Sequence, residues 1–87
     1  MAQTFKLSIV TPEDTIYAGE VVHLRAPGVV GYLGILVGHA PLVTPLTSGE
    51  ISLKEADKSE KFFQVEGGFL EVGNNSALLL AEKITIK

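Results

Sequence analysis

The stretch that decides the fold reads Pro27-Gly28-Val29-Val30-Gly31-Tyr32-Leu33-Gly34-Ile35-Leu36-Val37-Gly38-His39-Ala40-Pro41-Leu42. Four glycines and two prolines in sixteen residues rule out a helix of useful length. A glycine costs about 1 kcal/mol in a helix interior and a proline about 3 kcal/mol. What survives between the breakers is strand-sized: Leu33 with Ile35 to Val37, then Leu42-Val43. The spacing of Gly28, Gly31 and Gly34 superficially suggests a phosphate cradle. It lacks a Gly-Lys-Ser/Thr ending and a following helix, and without these most anion affinity is lost. The glycines read instead as residues that permit tight turns: Gly28, Gly31, Gly34 and Gly38.

Outward from this centre the dominant period is two. Phe5, Leu7 and Ile9 alternate with Thr4, Lys6 and Ser8, and Thr11-Pro12-Glu13-Asp14 ends the run with turn chemistry. Ile16 and Tyr17 read as a short second strand closed by Gly19. In the next strand Val22, Leu24 and Ala26 share a face, and Pro27-Gly28 stops it. On the C-terminal side Ile51 and Leu53 alternate with Glu50, Ser52 and Lys54. Lys54 to Lys61 has Ala56 as its only apolar residue, so it offers a helix no stripe to bury and reads as a hairpin loop. Phe62 to Glu66 is a strand with Phe63 and Val65 on one face, and Phe69 to Val72 follows Gly67-Gly68. Gly73-Asn74-Asn75 is a tight-turn signal. Ala77 to Ala81 is uninterrupted and apolar, which predicts a central strand buried on both faces; Ile84 and Ile86 alternate at the end. The sum is an all-β protein, a flattened sandwich or barrel of about eight to ten short strands without substantial helix, in one domain over residues 1–87.

Composition narrows the function classes. A chain of 87 residues supports one domain, burying roughly 60–65% of the surface its unfolded form exposes. Hydrophobic residues are 46% of the chain, so either the core is well stocked or a partner covers apolar surface. The net charge of −3 gives no basic field for nucleic acid or an anionic membrane. Cysteine is absent, which excludes disulfides and thiolate sites and suits a reducing compartment. The five-residue run Ala77 to Ala81 falls far short of the ~20 apolar residues of a spanning helix. Met1 to Val10 has no signal-peptide core. Direct membrane insertion is therefore not expected.

No constellation for catalysis emerges. His23 and His39 are the two histidines, and neither stands at metal-ligand spacing from a second histidine or clustered carboxylates. His23 reads as a solvated or edge-strand residue. No serine sits in a Gly-x-Ser-x-Gly elbow. No catalytic residue, metal or cofactor is expected. Apolar residues at a glycine-flanked tip (Val29, Val30, Tyr32) are costly in water, so a partner is expected to cover them. A stand-alone barrel that binds an apolar ligand or peptide is the alternative, and it predicts an enclosed cavity.

Pro27 through Leu42 resembles the Pro-Gly-x-x-Gly-x-x-Gly-Ile-x-Pro-Gly-His-Ala-Pro-Leu signature of the epsilon subunit of F-type ATP synthases. Val10-Thr11-Pro12-Glu13, Gly19-Glu20-Val21, Gly67-Gly68-Phe69-Leu70-Glu71-Val72 and Leu80-Ala81 match in the same order. The resemblance covers essentially the whole chain. It implies a β-sandwich of about ten strands at the foot of the rotating central stalk. Such a subunit has no catalytic role; it docks on the gamma subunit and on the c-ring and couples rotation to ATP synthesis. By motif position, Val29, Val30, Tyr32 and His39 would face the c-ring, and Thr11, Leu42, Val43 and Thr44 the gamma subunit. His39 either contacts the ring or bonds the backbone of its own loop. Two departures stand out: Val37 occupies the usual proline position, and Tyr32 stands where the family often has an acidic or polar residue. The family's usual pair of C-terminal helices, which can inhibit hydrolysis and in some members bind ATP, has no counterpart in residues 1–87; neither inhibition nor nucleotide binding is expected of them. The implied location is peripheral, on the cytoplasmic face of a bacterial inner membrane or the stromal face of a thylakoid.

Overall fold

Period-two alternation produces nine strands in the computed structural model, which describes residues 3–87. They are β1 (Phe5–Val10), β2 (Thr15–Gly28), β3 (Gly31–Leu36), β4 (Leu42–Leu46), β5 (Gly49–Glu55), β6 (Glu60–Val65), β7 (Gly68–Gly73), β8 (Ser76–Leu80) and β9 (Ile84–Ile86). Among the described residues none is helical, as the density of breakers requires. Met1 and Ala2, part of the expected 1–87 domain and of the Met1 to Val10 reading, lie outside the described residues.

The strands form one continuous sheet folded into two layers. The first runs β4-β7-β8-β1 and continues into the first half of β2; the second runs β3, the second half of β2, β5, β6 and β9. Among the described residues only β1 and β8 pair in parallel. A single bridge between Gly28 and Leu46 joins β2 to β4, and the Thr47 amide donates to the Pro27 carbonyl at 2.8 Å beside it. Between the layers lie Phe5, Leu7, Ile9, Leu70, Val72 and Leu79 from one side and Leu24, Ile35, Ile51, Leu53, Phe63 and Val65 from the other. Each such side chain contributes roughly 1.5–3 kcal/mol by leaving water.

Four expectations are corrected. Ile16-Tyr17 and the Val22-to-Ala26 segment are not separate strands: β2 is unbroken for 14 residues, and Gly19 does not end it. Gly19 pairs with Leu7, and its missing Cβ makes room for the Tyr17 ring, whose hydroxyl would stand 2.7 Å from such an atom. Second, the core residue is Val21, at 0% exposure, and Val22 is half-buried. A register shift between Val21 and His23 places one extra residue in β2, so Val21 and Leu24 both face inward despite their odd spacing. Third, β8 is central, between β1 and β7, but is covered on one side only. Ala77 and Leu79 are buried, whereas Leu80 is exposed. His23, paired on both sides with Leu36 and Lys54, does not occupy an edge strand.

One polar bond ties the layers. The Tyr17 hydroxyl donates to Glu55 Oε2 at 2.6 Å, linking the first half of β2 to the end of β5. Burial first, then this bond and the neighbouring carboxylate charge, push the Tyr17 pKa up to about 12. A phenol whose folded pKa lies above its unfolded value of 10.0 favours the folded state while protonated. That contribution is complete below pH 10.0 and disappears as pH rises toward about 12. Urea unfolding should therefore show wild-type stability falling over that interval, and Tyr17→Phe should remove that part of the slope. In the same assay Leu24→Ala should lower stability by about 2–5 kcal/mol. Val22→Ala should cost less than about half of that, since its side chain is not fully enclosed. An equal loss would contradict the bulge.

Candidate docking surfaces

The hairpin of β2 and β3 reverses through Val29 and Val30, between the paired residues Gly28 and Gly31. Both valines keep negative φ, and Gly31 at φ +144° completes the reversal. Gly28 serves a different need: a Cβ there would stand 2.7 Å from the Gly31 carbonyl oxygen. Of the four expected turn glycines, Gly38 also has a positive φ, +83°. Gly34 does not belong with them. It lies inside β3 opposite Arg25, without a positive φ, so no turn requires it.

At the tip Val30 is 98% exposed and Val29 59%. Tyr32 departs from the loop-tip placement expected of it. It belongs to β3, the Arg25 guanidinium lies 3.9 Å from its ring centroid, and its hydroxyl accepts from the Glu50 amide at 3.1 Å. An exposed cation–π contact is worth about 0.5–1 kcal/mol. Tyr32 thus braces the hairpin against the start of β5.

The residues expected on the c-ring side do not form one cluster. Val29 and Val30 precede β3, and His39 follows it; five strand steps at about 3.3 Å separate Gly31 from Leu36, roughly 17 Å. His39 instead shares a hollow with Val37, Gly38, Pro41 and the Asn74-Asn75 turn, and its Nδ1–H donates to the Ala40 carbonyl at 2.7 Å. The bond within its own loop, one of its two readings, is present. Val37, in the usual proline position, packs partly against the core.

Thr44, expected on the gamma side, shares a hollow of about 250 Å³ with Val29, Val30, Tyr32 and Leu33. The Gly28–Leu46 bridge holds β4 against the base of the hairpin and brings it there. Leu42 is half-buried against the core, leaving Val43 outward opposite Glu71. Thr11 closes a tight loop: its amide donates to the Asp14 carbonyl at 2.8 Å, and Asp14 returns the bond at 3.3 Å. It borders a hollow lined by Pro12, Phe69, Leu80 and Glu82.

That hollow leads to residues the sequence reading did not select. Strand register aligns Pro45, Phe69, Leu80 and Val10 in one row across β4, β7, β8 and β1 on the outer face. Phe69 is 54% exposed and Leu80 46%. A signal existed: Phe69 is out of phase with Leu70 and Val72, and the run Ala77 to Ala81 has no polar residue for its outward positions. The hollows lined by these surface residues are open clefts, and the core between the layers is filled by apolar side chains.

Comparison with known proteins accords with this geometry. Residues 4–87 match the family model for the ATP synthase delta/epsilon chain β-sandwich domain. The ATP synthase epsilon chain of Chlorobium limicola is 49% identical over 83 residues, covering 95% of this chain and 94% of that one. That of Moorella thermoacetica is 40% identical over 79 residues, and there the chain spans only 59% of the relative's length. Among solved structures, a chain of the Euglena gracilis mitochondrial ATP synthase, in a structure of OSCP, F1 and c-ring, superposes with TM-score 0.89. At 19% identity, covering 99% of this chain and 54% of that one, it is a likeness of fold. A chain from the central stalk and c-ring of the Tetrahymena thermophila mitochondrial ATP synthase gives TM-score 0.79 at 16% identity, covering 97% and 67%. With nearly its whole length matched by the family model, and a nearly full-length relative at 49% identity, this chain belongs to the ATP synthase delta/epsilon family, of which it carries the β-sandwich domain.

Proposed function

We propose that residues 1–87 act as a single-domain, non-catalytic rotor component of a proton-translocating F-type ATP synthase, docking on the gamma subunit and the c-ring. The assembly holds it peripherally at the membrane, on the cytoplasmic or stromal face. The observation that carries this reading is the braced hairpin tip. Val29 and Val30 stand in water with no charged neighbour between Pro27 and Gly38, on a turn that the Tyr32–Arg25 stack and the Glu50 bond hold in place. A monomer gains nothing by stiffening an exposed apolar tip; a docking protein does, because rigidity lowers the ordering cost of binding. The solved likenesses come from assemblies that contain a c-ring, which supports the same partners.

In this reading the work divides between two surfaces. The Val29-Val30 tip is assigned to the ring. The outer face of β4, β7, β8 and β1 is assigned to gamma, with Val43 and Thr11 joined by Phe69, Leu80, Pro45 and Val10. Thr44 lies where the two meet. Leu42 and Tyr32 act from behind, as packing and brace, and His39 shapes its own loop. A two-layer scaffold suits torque transmission because cross-strand hydrogen bonds tie each surface to the other.

Two substitutions separate the surfaces. Phe69→Asp should weaken capture of purified gamma by about tenfold or more, the scale of losing an apolar anchor. Val30→Asp should leave gamma capture within about twofold and instead reduce ATP-driven proton pumping relative to hydrolysis in the reconstituted synthase. Neither should lower the isolated domain's unfolding midpoint by much, as both side chains are at the surface. If the wild-type chain fails to capture gamma at micromolar concentration, the proposal is wrong.

A further inference from the structure

Strand β3 pairs with β2 alone among the described residues, so one of its sides is a free edge. The hairpin register tells which backbone groups stand there. Across a two-residue turn, Gly28 and Gly31 are a hydrogen-bonded pair, and bonded and non-bonded pairs then alternate. Ala26–Leu33 and Leu24–Ile35 are bonded; Pro27–Tyr32, Arg25–Gly34 and His23–Leu36 are not. Pro27 agrees with this phase: it has no N–H, and its carbonyl accepts from Thr47 on the side away from β3. The N–H and C=O groups of Tyr32, Gly34 and Leu36 therefore point out from the sheet. Only the Leu36 carbonyl has a partner among the described residues, the His39 amide at 3.1 Å.

Proteins protect such edges with charge, proline, bulges or brevity. The other free edges here carry these devices. β4 contains Pro45, and β9 has three residues between Lys83 and Lys87. The free stretch of β2 carries Glu20 and lies between two register shifts. β3 has none of them. Its six residues, Gly-Tyr-Leu-Gly-Ile-Leu, are uncharged and regularly paired, and Tyr32 and Leu36 are exposed on either side of Gly34.

Resting on the docking role above, we propose that the β3 edge accepts an extended segment of the stalk subunit that docks on this domain, adding a strand to the sheet. A row of alternating donors and acceptors at strand spacing is recognised by the backbone of another strand. The segment would be uncharged opposite Gly34, where no side chain stands in its way, with apolar residues beside Tyr32 and Leu36. A second copy of this chain fits less well. Antiparallel pairing about Gly34 would carry the two Val29-Val30 tips to opposite ends and leave both in water. The stalk subunit, by contrast, takes the edge and leaves the tip beyond Gly31 to the ring.

Gly34 allows a clean test, because its N–H is not used by β2. Gly34→Pro removes that donor and fills the edge while sparing the ladder, since a strand tolerates proline where its N–H faces solvent on a free edge. Gly34→Ala keeps the donor, and its Cβ would make only an ordinary 3.7 Å contact with His23 Nε2. Both variants, first confirmed folded by their unfolding midpoints, are rebuilt into synthase stripped of this subunit. Gly34→Ala should be retained like wild type, and Gly34→Pro about tenfold less well. Hydrogen exchange read by mass spectrometry on the wild-type chain supplies a second measurement. The amides of Tyr32, Gly34 and Leu36 should exchange rapidly in the isolated chain and become protected in the assembled synthase. Unchanged exchange on assembly, or equal retention of the proline and alanine variants, overturns the strand addition while leaving the docking role intact. Protection that grows with concentration in the isolated chain overturns it in favour of self-pairing. Failure of the wild-type chain to rejoin the synthase removes the docking role and this inference together.

Discussion

The fold rests on β2 serving both layers. A strand of 14 residues spans more than one face of so small a domain, so it must change partners midway without exposing its apolar side. The extra residue at Val22 achieves this. Before it, Val21 faces the core from the layer that β2 shares with β1; after it, Leu24 and Ala26 face the same core from the layer shared with β3 and β5. A slip of one position would turn Val21 before it, or Leu24 and Ala26 after it, toward water. The bond from Tyr17 to Glu55 lies near this crossing and closes the layers over it.

Because β2 runs on into the hairpin, the core and the exposed tip are one piece of chain. The packing that buries Leu24 and Ala26 also sets the path of Pro27 and Gly28, and the Gly28–Leu46 bridge locks β4 to the same point. Tyr32 completes the support through stacking and a hydrogen bond, using a residue whose neighbours along the chain suggest a free loop. Stiffness at an exposed apolar tip has a thermodynamic use only when something binds it. The free edge of β3 lies along the same hairpin, so apolar tip and unpaired backbone form one continuous surface.

The outer face of β4, β7, β8 and β1 shows how sheet register creates a surface that no local segment contains. Pro45, Phe69, Leu80 and Val10 come from four strands, one of them paired in parallel with its neighbour. Their alignment depends on three registers at once. The same holds in reverse for the expected grouping of His39 with Val29 and Val30. They are close in sequence, yet an extended strand carries them to opposite ends of the hairpin.

The amino-acid sequence by itself determined the all-β character, most strand positions, the inward residues of β1, β5 and β6, and the family. Each follows from local chemistry: period-two alternation, breakers that forbid helix, turn residues, and a sixteen-residue motif. Only the tertiary structure decided that β2 is one strand, that Val21 and not Val22 is buried, that Leu80 lies at the surface, and that Gly34 sits in a strand. A bulge shifts phase without a composition signal, and an apolar run does not say which of its faces is covered. Those outcomes depend on which strands become neighbours, a property of contacts distant along the chain.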